Sequence, residues 1–73
     1  MSRTHEFVAM ILYAAPGAKE MTHNAHRFTA ANNTAAMDTA REWARSRLTR
    51  PEGMRLQVTR DGVTIASLSQ ESI

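Results

Sequence analysis

Three histidines and seven acidic residues have the widest chemical reach in this chain, and their spacing restricts what they can do. His23 and His26 form a His-x-x-His pair, with His5, Glu6 and Glu20 as the remaining candidate ligands on that side of the sequence. A zinc site needs three or four ligands held rigidly. Here the pair spans the end of a loop and the start of a strand, with no cysteine and no well-placed third ligand. No metal and no cofactor is expected. Nucleophilic catalysis has as little to work with, because cysteine is absent and no serine sits in a Gly-x-Ser-x-Gly setting. Of the acids, Asp61 is explained by a turn, Asp38 by the start of a helix, and Glu42 by Arg45 three residues on. Ala15-Pro16-Gly17-Ala18 lacks the spacing and the lysine of a phosphate-binding loop. The chain does not read as an enzyme.

Arginine is the other residue type with a chemistry of its own. Eight arginines stand against the single Lys19, for a net charge of +2. Arg41, Arg45, Arg47 and Arg50 gather on one helical segment and its end, and Arg55 follows on a strand. A small sheet with one helix can lay a strand face in the DNA major groove, where arginine reads guanine. These five arginines are therefore the candidate basic surface. Against them, a charge of +2 gives a weak field. The exposed strand face carries only Arg55 and no aromatic on which a base can stack. A solvated surface of ordinary Arg–acid pairs accounts for the same residues, which makes nucleic acid the second reading.

The elements that must hold these residues follow from the hydrophobic pattern. His5 to Ala14 is an apolar, β-favouring stretch and is predicted to be a strand. Alternation puts Phe7, Ala9, Ile11 and Tyr13 on one face and Val8, Met10 and Leu12 on the other. Glu6 abuts this run and the basic residues before it are few, so it is a better strand than the apolar part of a signal peptide. Ala15-Pro16-Gly17 breaks the strand, a loop to Asn24 is expected, and a weaker strand follows over 25–31. Asn32-Asn33-Thr34 signals a helix start, and the helix is predicted over 34–48, with Ala36, Ala40, Trp43, Ala44 and Leu48 facing inward. Pro51 to Gly53 ends it.

The last segment is the clearest. Strands over 54–60 and 63–68 flank Asp61-Gly62, whose residue types suit the positive φ angles of a two-residue hairpin turn. Counting outward sets Val58 opposite Ile65 and Leu56 opposite Ser67. Met54, Leu56, Val58, Val63 and Ile65 then share the core face, while Arg55, Gln57, Thr59, Thr64 and Ala66 share the wet one. Residues 69–73 are expected as a frayed tail.

The expected fold is therefore α+β: one helix on a small, mostly antiparallel sheet, in the order β-β-α-β-β, spanning residues 1–73 as a single domain. Its core is modest. The hydrophobic fraction is 42%, but twelve of those residues are alanine, so stability sits near the margin of what a small domain achieves unaided. No apolar run approaches the roughly 18 residues that span a bilayer, and a cytoplasmic protein is expected.

One mismatch in the pattern points to a function. The first strand is apolar on both faces, yet one helix covers only one face of a sheet. The face left over, Val8, Met10 and Leu12 in one of the two orientations, needs a lid. A second copy can supply it, by stacking sheets or by joining edges. Alternatively, the 15–24 loop folds across it through Met21. The reading is a non-catalytic interaction module, a homodimer through the first strand or the sheet face, with a separate protein partner as a further possibility.

The run Phe28-Thr29-Ala30, then Ala36 to Ala44 with Arg41-Glu42-Trp43, then Leu56 to Ile65 resembles many short bacterial or phage proteins of uncharacterised families. The resemblance covers about residues 26–66. It implies the strand–helix–hairpin architecture and carries no activity with it.

Overall fold

The computed structural model describes residues 4–49 and 53–73. In chain order these form β1 (His5–Tyr13), β2 (Met21–Ala30), α1 (Asn33–Arg45), β3 (Met54–Arg60), β4 (Val63–Ser69) and a single 3-10 turn (Gln70–Ser72). The strands make one four-stranded sheet in the order β2-β1-β3-β4, with every neighbouring pair antiparallel. The chain is an α+β fold, and β1 lies inside the sheet with a strand on either side.

The first alternating face of β1 is the core. Phe7, Ala9 and Ile11 are fully buried together with Leu56 and Val58 of β3, while Ala36, Ala40 and Ala44 of α1 close over them. Three alanines spaced four residues apart make one stripe along the helix, and their small side chains let its backbone settle close to the sheet. Burial of each large side chain contributes about 1.5–3 kcal/mol. Trp43, expected to face inward with the alanines, packs against the core without joining its fully buried centre. It lies half-buried at the margin of the core, because the alanine stripe leaves no depth for an indole there.

Helix α1 begins as its sequence indicates. The Asn32 side chain accepts a 2.8 Å hydrogen bond from the Ala35 N–H, satisfying one of the first-turn donors. It ends earlier than periodicity implies, at Arg45, where the Arg47 and Leu48 N–H groups both fall on the Ala44 carbonyl and tighten the last turn. Arg47 also donates to the Trp43 carbonyl, capping the negative end of the helix. Asp38 lies beyond the first turn of α1, which carries no acidic residue. Pro51, the expected terminator, and Arg50 lie outside the described residues.

Three further expectations change. Strand β2 starts at Met21 rather than at residue 25, so the connection from β1 is short and turns over Pro16–Ala18. Its Met-Thr-His-Asn opening is polar because an edge strand can leave both faces wet. Asp61 and Gly62 do adopt positive φ angles of 49° and 87°. Beyond them, however, the hairpin register slips. Thr59 pairs with Thr64 but Val58 pairs with Ala66, leaving Ile65 as a bulged extra residue. Ala66 and Leu68 thereby move to the core side, opposite Val58 and Leu56, and Val63 is left 67% exposed. Finally, residues 69–73 are not a loose tail, since the 3-10 turn sets Ile73 against the core.

Candidate docking face

The side of the sheet away from α1 is built by the alternate residues of each strand. Val8, Met10 and Leu12 run down its centre. The β2 partners Arg27, Ala25 and Thr22 flank them on one side and the β3 partners Thr59, Gln57 and Arg55 on the other. Val8 and Met10 are half-buried, and Leu12 is 9% exposed. Helix α1 lies on the other side, and on this one the Glu20 side chain from the β1–β2 connection reaches Arg55 at the Leu12 end. Met21 does not fold across the row. It belongs to β2, pairs with Tyr13, and is 72% exposed.

Two ion pairs frame the apolar row at opposite ends. At one end Arg55 donates to both Glu20 oxygens, from Nε at 2.7 Å and from Nη2 at 2.6 Å, and its remaining nitrogen donates to Ser67. Because β1 runs between β2 and β3, this pair reaches over the end of β1 where Leu12 meets Arg55 in register. The hydrogen bonds from Arg55 hold the Glu20 carboxyl below its usual range, and those to Glu20 raise the Arg55 guanidinium above its own. At the other end Arg27 lies 3.5 Å from Glu6, with both side chains largely exposed. Gln57 donates to Thr64, tying β3 to β4 on the same side. Among the described residues, the ion pairs on this face thus use two arginines and two glutamates.

The sheet's free edges are interrupted. On β2, Ile11 pairs with Asn24 and Leu12 with Thr22, so His23 is a bulged residue. Beside it the Asn24 side chain accepts from the Ala25 N–H at 3.0 Å, engaging that donor locally. On β4 the bulge falls at Ile65. Bulges kink and twist an edge away from flat pairing.

The described arginines of the candidate basic surface lie on two sides of the sheet. Arg55 belongs to the helix-free side. Arg41, Arg45 and Arg47 belong to α1 or the turn after it, on the opposite side of the sheet, and Arg50 lies outside the described residues. Arg45 is paired with Glu42 at 3.0 Å. Arg47 lies over the Trp43 ring at 5.0 Å, and Arg41 is half-buried. Val8, Met10 and Leu12 do come together.

The histidines are also accounted for. His26 stacks between Phe28 and Trp43, at 5.6 Å from each. Phe28 in turn stacks on Phe7 at 5.8 Å, and Arg60 approaches the Phe7 ring at 6.0 Å. The result is a continuous column from Arg60 to Arg47 through Phe7, Phe28, His26 and Trp43. His23 meets Tyr13 edge-on. His5 Nδ1 lies 3.7 Å from Asp61, and its Nε2 is engaged by Arg60, which also donates to Asn33 at the helix start. An Asp–His pair whose far nitrogen faces a guanidinium has no lone pair to offer a substrate. It serves as a tie between the hairpin turn, β1 and α1. Among the described residues no three histidines or acids gather as a metal site would require, and no helix is long and apolar enough to cross a membrane. A hollow of about 240 Å³ beside Tyr13, Lys19 and Met21 is smaller than most ligand pockets.

Sequence reasoning missed Arg27 and the two Arg–Glu pairs. Alternation alone sets Arg27 out of phase with His26 and Phe28, but its place beside Val8 needs the β1–β2 register. No protein-family model, curated protein or solved structure matches the chain.

Proposed function

We propose that the chain is a non-catalytic interaction module whose working surface is the helix-free side of its sheet, and that it takes a protein there. The observation that supports this reading is the Val8–Met10–Leu12 row, an apolar strip on an interior strand, away from α1 and still partly exposed at Val8 and Met10. The balance of two arginines and two glutamates around it suits a protein surface, whereas a nucleic acid calls for an excess of positive charge.

The test is site-specific capture. A photoreactive phenylalanine analogue replacing Met10 in the full chain should cross-link to protein, a second copy included, at about 0.5 M salt, where exposed charges are screened. The same analogue replacing Thr39 on the helix should not. Cross-linking equal at both positions, or none to any protein, would overturn the reading. So would salt-sensitive binding of random duplex DNA that persists when Met10 is replaced by lysine.

A further inference from the structure

We infer that the occupant of this face is a second copy of the same chain, stacked sheet on sheet with its strands running opposite to the first. The inference rests on the interaction reading above and names the partner.

Three observations carry it. First, the sheet has two free edges and both are bulged, at His23 on β2 and at Ile65 on β4, with the Ala25 N–H already engaged by Asn24. Joining edges into an eight-stranded sheet requires a flat, unengaged edge, so association is directed to the face. Second, the two Arg–Glu pairs on this face balance in charge, which allows them to meet their own copies without net repulsion. Third, its charges are arranged so that orientation matters. Arg27 lies toward the Val8 end and the Arg55–Glu20 pair at the Leu12 end. A twofold axis lying across β1 at Met10 sets Met10 on the copy's Met10 and Val8 against the copy's Leu12. It also brings Arg27, whose own partner Glu6 is 3.5 Å away and exposed, toward the corner that holds the copy's Glu20. An axis along β1 instead sets Val8 on the copy's Val8 and brings Arg27 toward the copy's Thr59.

The size of the face sets the strength. Four strands about 4.8 Å apart and seven residues long at about 3.3 Å each present roughly 400 Å² per copy. Twice that is below the approximately 1,200 Å² of a standard stable interface, so the dimer is weak and depends on concentration.

The chain has no cysteine, so single cysteines report cleanly. Met10→Cys should form a disulfide-linked dimer under mild oxidation, since Met10 lies on the axis. Met21→Cys on the β2 edge strand and Val63→Cys on the β4 edge strand, both exposed and both off this face, should not. Val8→Cys mixed with Leu12→Cys should link faster than either protein alone. Sedimentation of the unmodified chain up to about 1 mM should show mass rising above the 8.1 kDa monomer. Met10→Lys should weaken this association at least about tenfold with an unchanged circular dichroism spectrum. A strictly monomeric chain at that concentration overturns the inference. So does edge cross-linking that outpaces Met10→Cys, and Val8→Cys linking to itself as fast as to Leu12→Cys overturns the orientation. If the chain stays monomeric while the Met10 photoprobe captures other proteins, the inference fails and the interaction reading stands. If the probe captures nothing, both fail.

Discussion

Arg55 and Glu20 meet side on across the strand that separates them, two nitrogens of the guanidinium facing two oxygens of the carboxylate at 2.7 and 2.6 Å. The pair joins the residue just before β2 to the third strand and passes over the end of β1, so it fastens the start of the edge strand to the interior of the sheet. A bidentate geometry of this kind is stronger than a single surface ion pair, although both groups remain 35% exposed and open to screening by salt.

The acid limb of stability should report this pair. Glu20 in the folded chain titrates below its ordinary value of 4.5. A carboxyl held low contributes stability that is present above its unfolded pKa and lost as the pH falls through the folded one. Glu20→Gln should therefore lower the melting temperature at neutral pH, and the difference from the parent should shrink as the pH is taken down through and below 4.5. A difference that stays constant across that range, measured by thermal denaturation, would contradict the assignment.

Two glycines should respond differently to alanine. Gly62 in the hairpin turn has a φ of +87°, but a Cβ there meets nothing within 4 Å. Gly62→Ala should cost about 1 kcal/mol through backbone strain alone. Gly53 has a φ of +89°, and a Cβ there would come within 2.8 Å of the Ala14 carbonyl oxygen. That carbonyl belongs to the residue whose N–H donates to Gly53 at 3.0 Å, so the clash falls on backbone that is already paired. Gly53→Ala should cost clearly more than Gly62→Ala in urea denaturation. Equal losses would mean that the Ala14–Gly53 approach is not a fixed part of the fold.

The column of rings offers a spectroscopic check. Trp43 is the only tryptophan, with His26 on one side and Arg47 over its ring. Removing the imidazole in His26→Ala should open one side of the indole to water and shift its emission to longer wavelength, with the far-ultraviolet circular dichroism spectrum retained. An unchanged emission maximum would show that the stacking is not maintained in solution.

How far the sequence could be read depended on whether the signal was local. The helix cap at Asn32 and the Asp61-Gly62 turn were legible because each is decided within a few residues by side-chain chemistry and backbone φ. The two faces of β1 were legible from alternation. The bulges at His23 and Ile65 were not, because a single extra residue leaves no mark on composition and is decided by pairing with a distant strand. Arg27 and Glu20 depended on that same pairing. The arginines misled for a related reason. Their number drew attention, but only the sheet's two sides show that Arg55 and the helix arginines cannot act together. Trp43 misled by size, since a large apolar residue in helical phase invites a place in the core that three alanines had already closed.

The strand order carries a consequence for how the chain folds. β1 with β2, and β3 with β4, are hairpins closed by short connections, whereas β1 with β3 is a seam joined only after the whole helical crossover has been laid down. Closing that long loop is the entropically costly event, and nearly the whole buried cluster lies along or above the seam. Truncations on the seam, such as Val58→Ala, should slow refolding as well as hasten unfolding. Thr64→Ala, in the outer hairpin, should act on the unfolding rate alone. Stopped-flow traces in which both variants refold at the parent's rate would place the barrier elsewhere. The two hairpins are thus semi-independent halves, and the order in which they meet is set by one interior strand reaching across to the other.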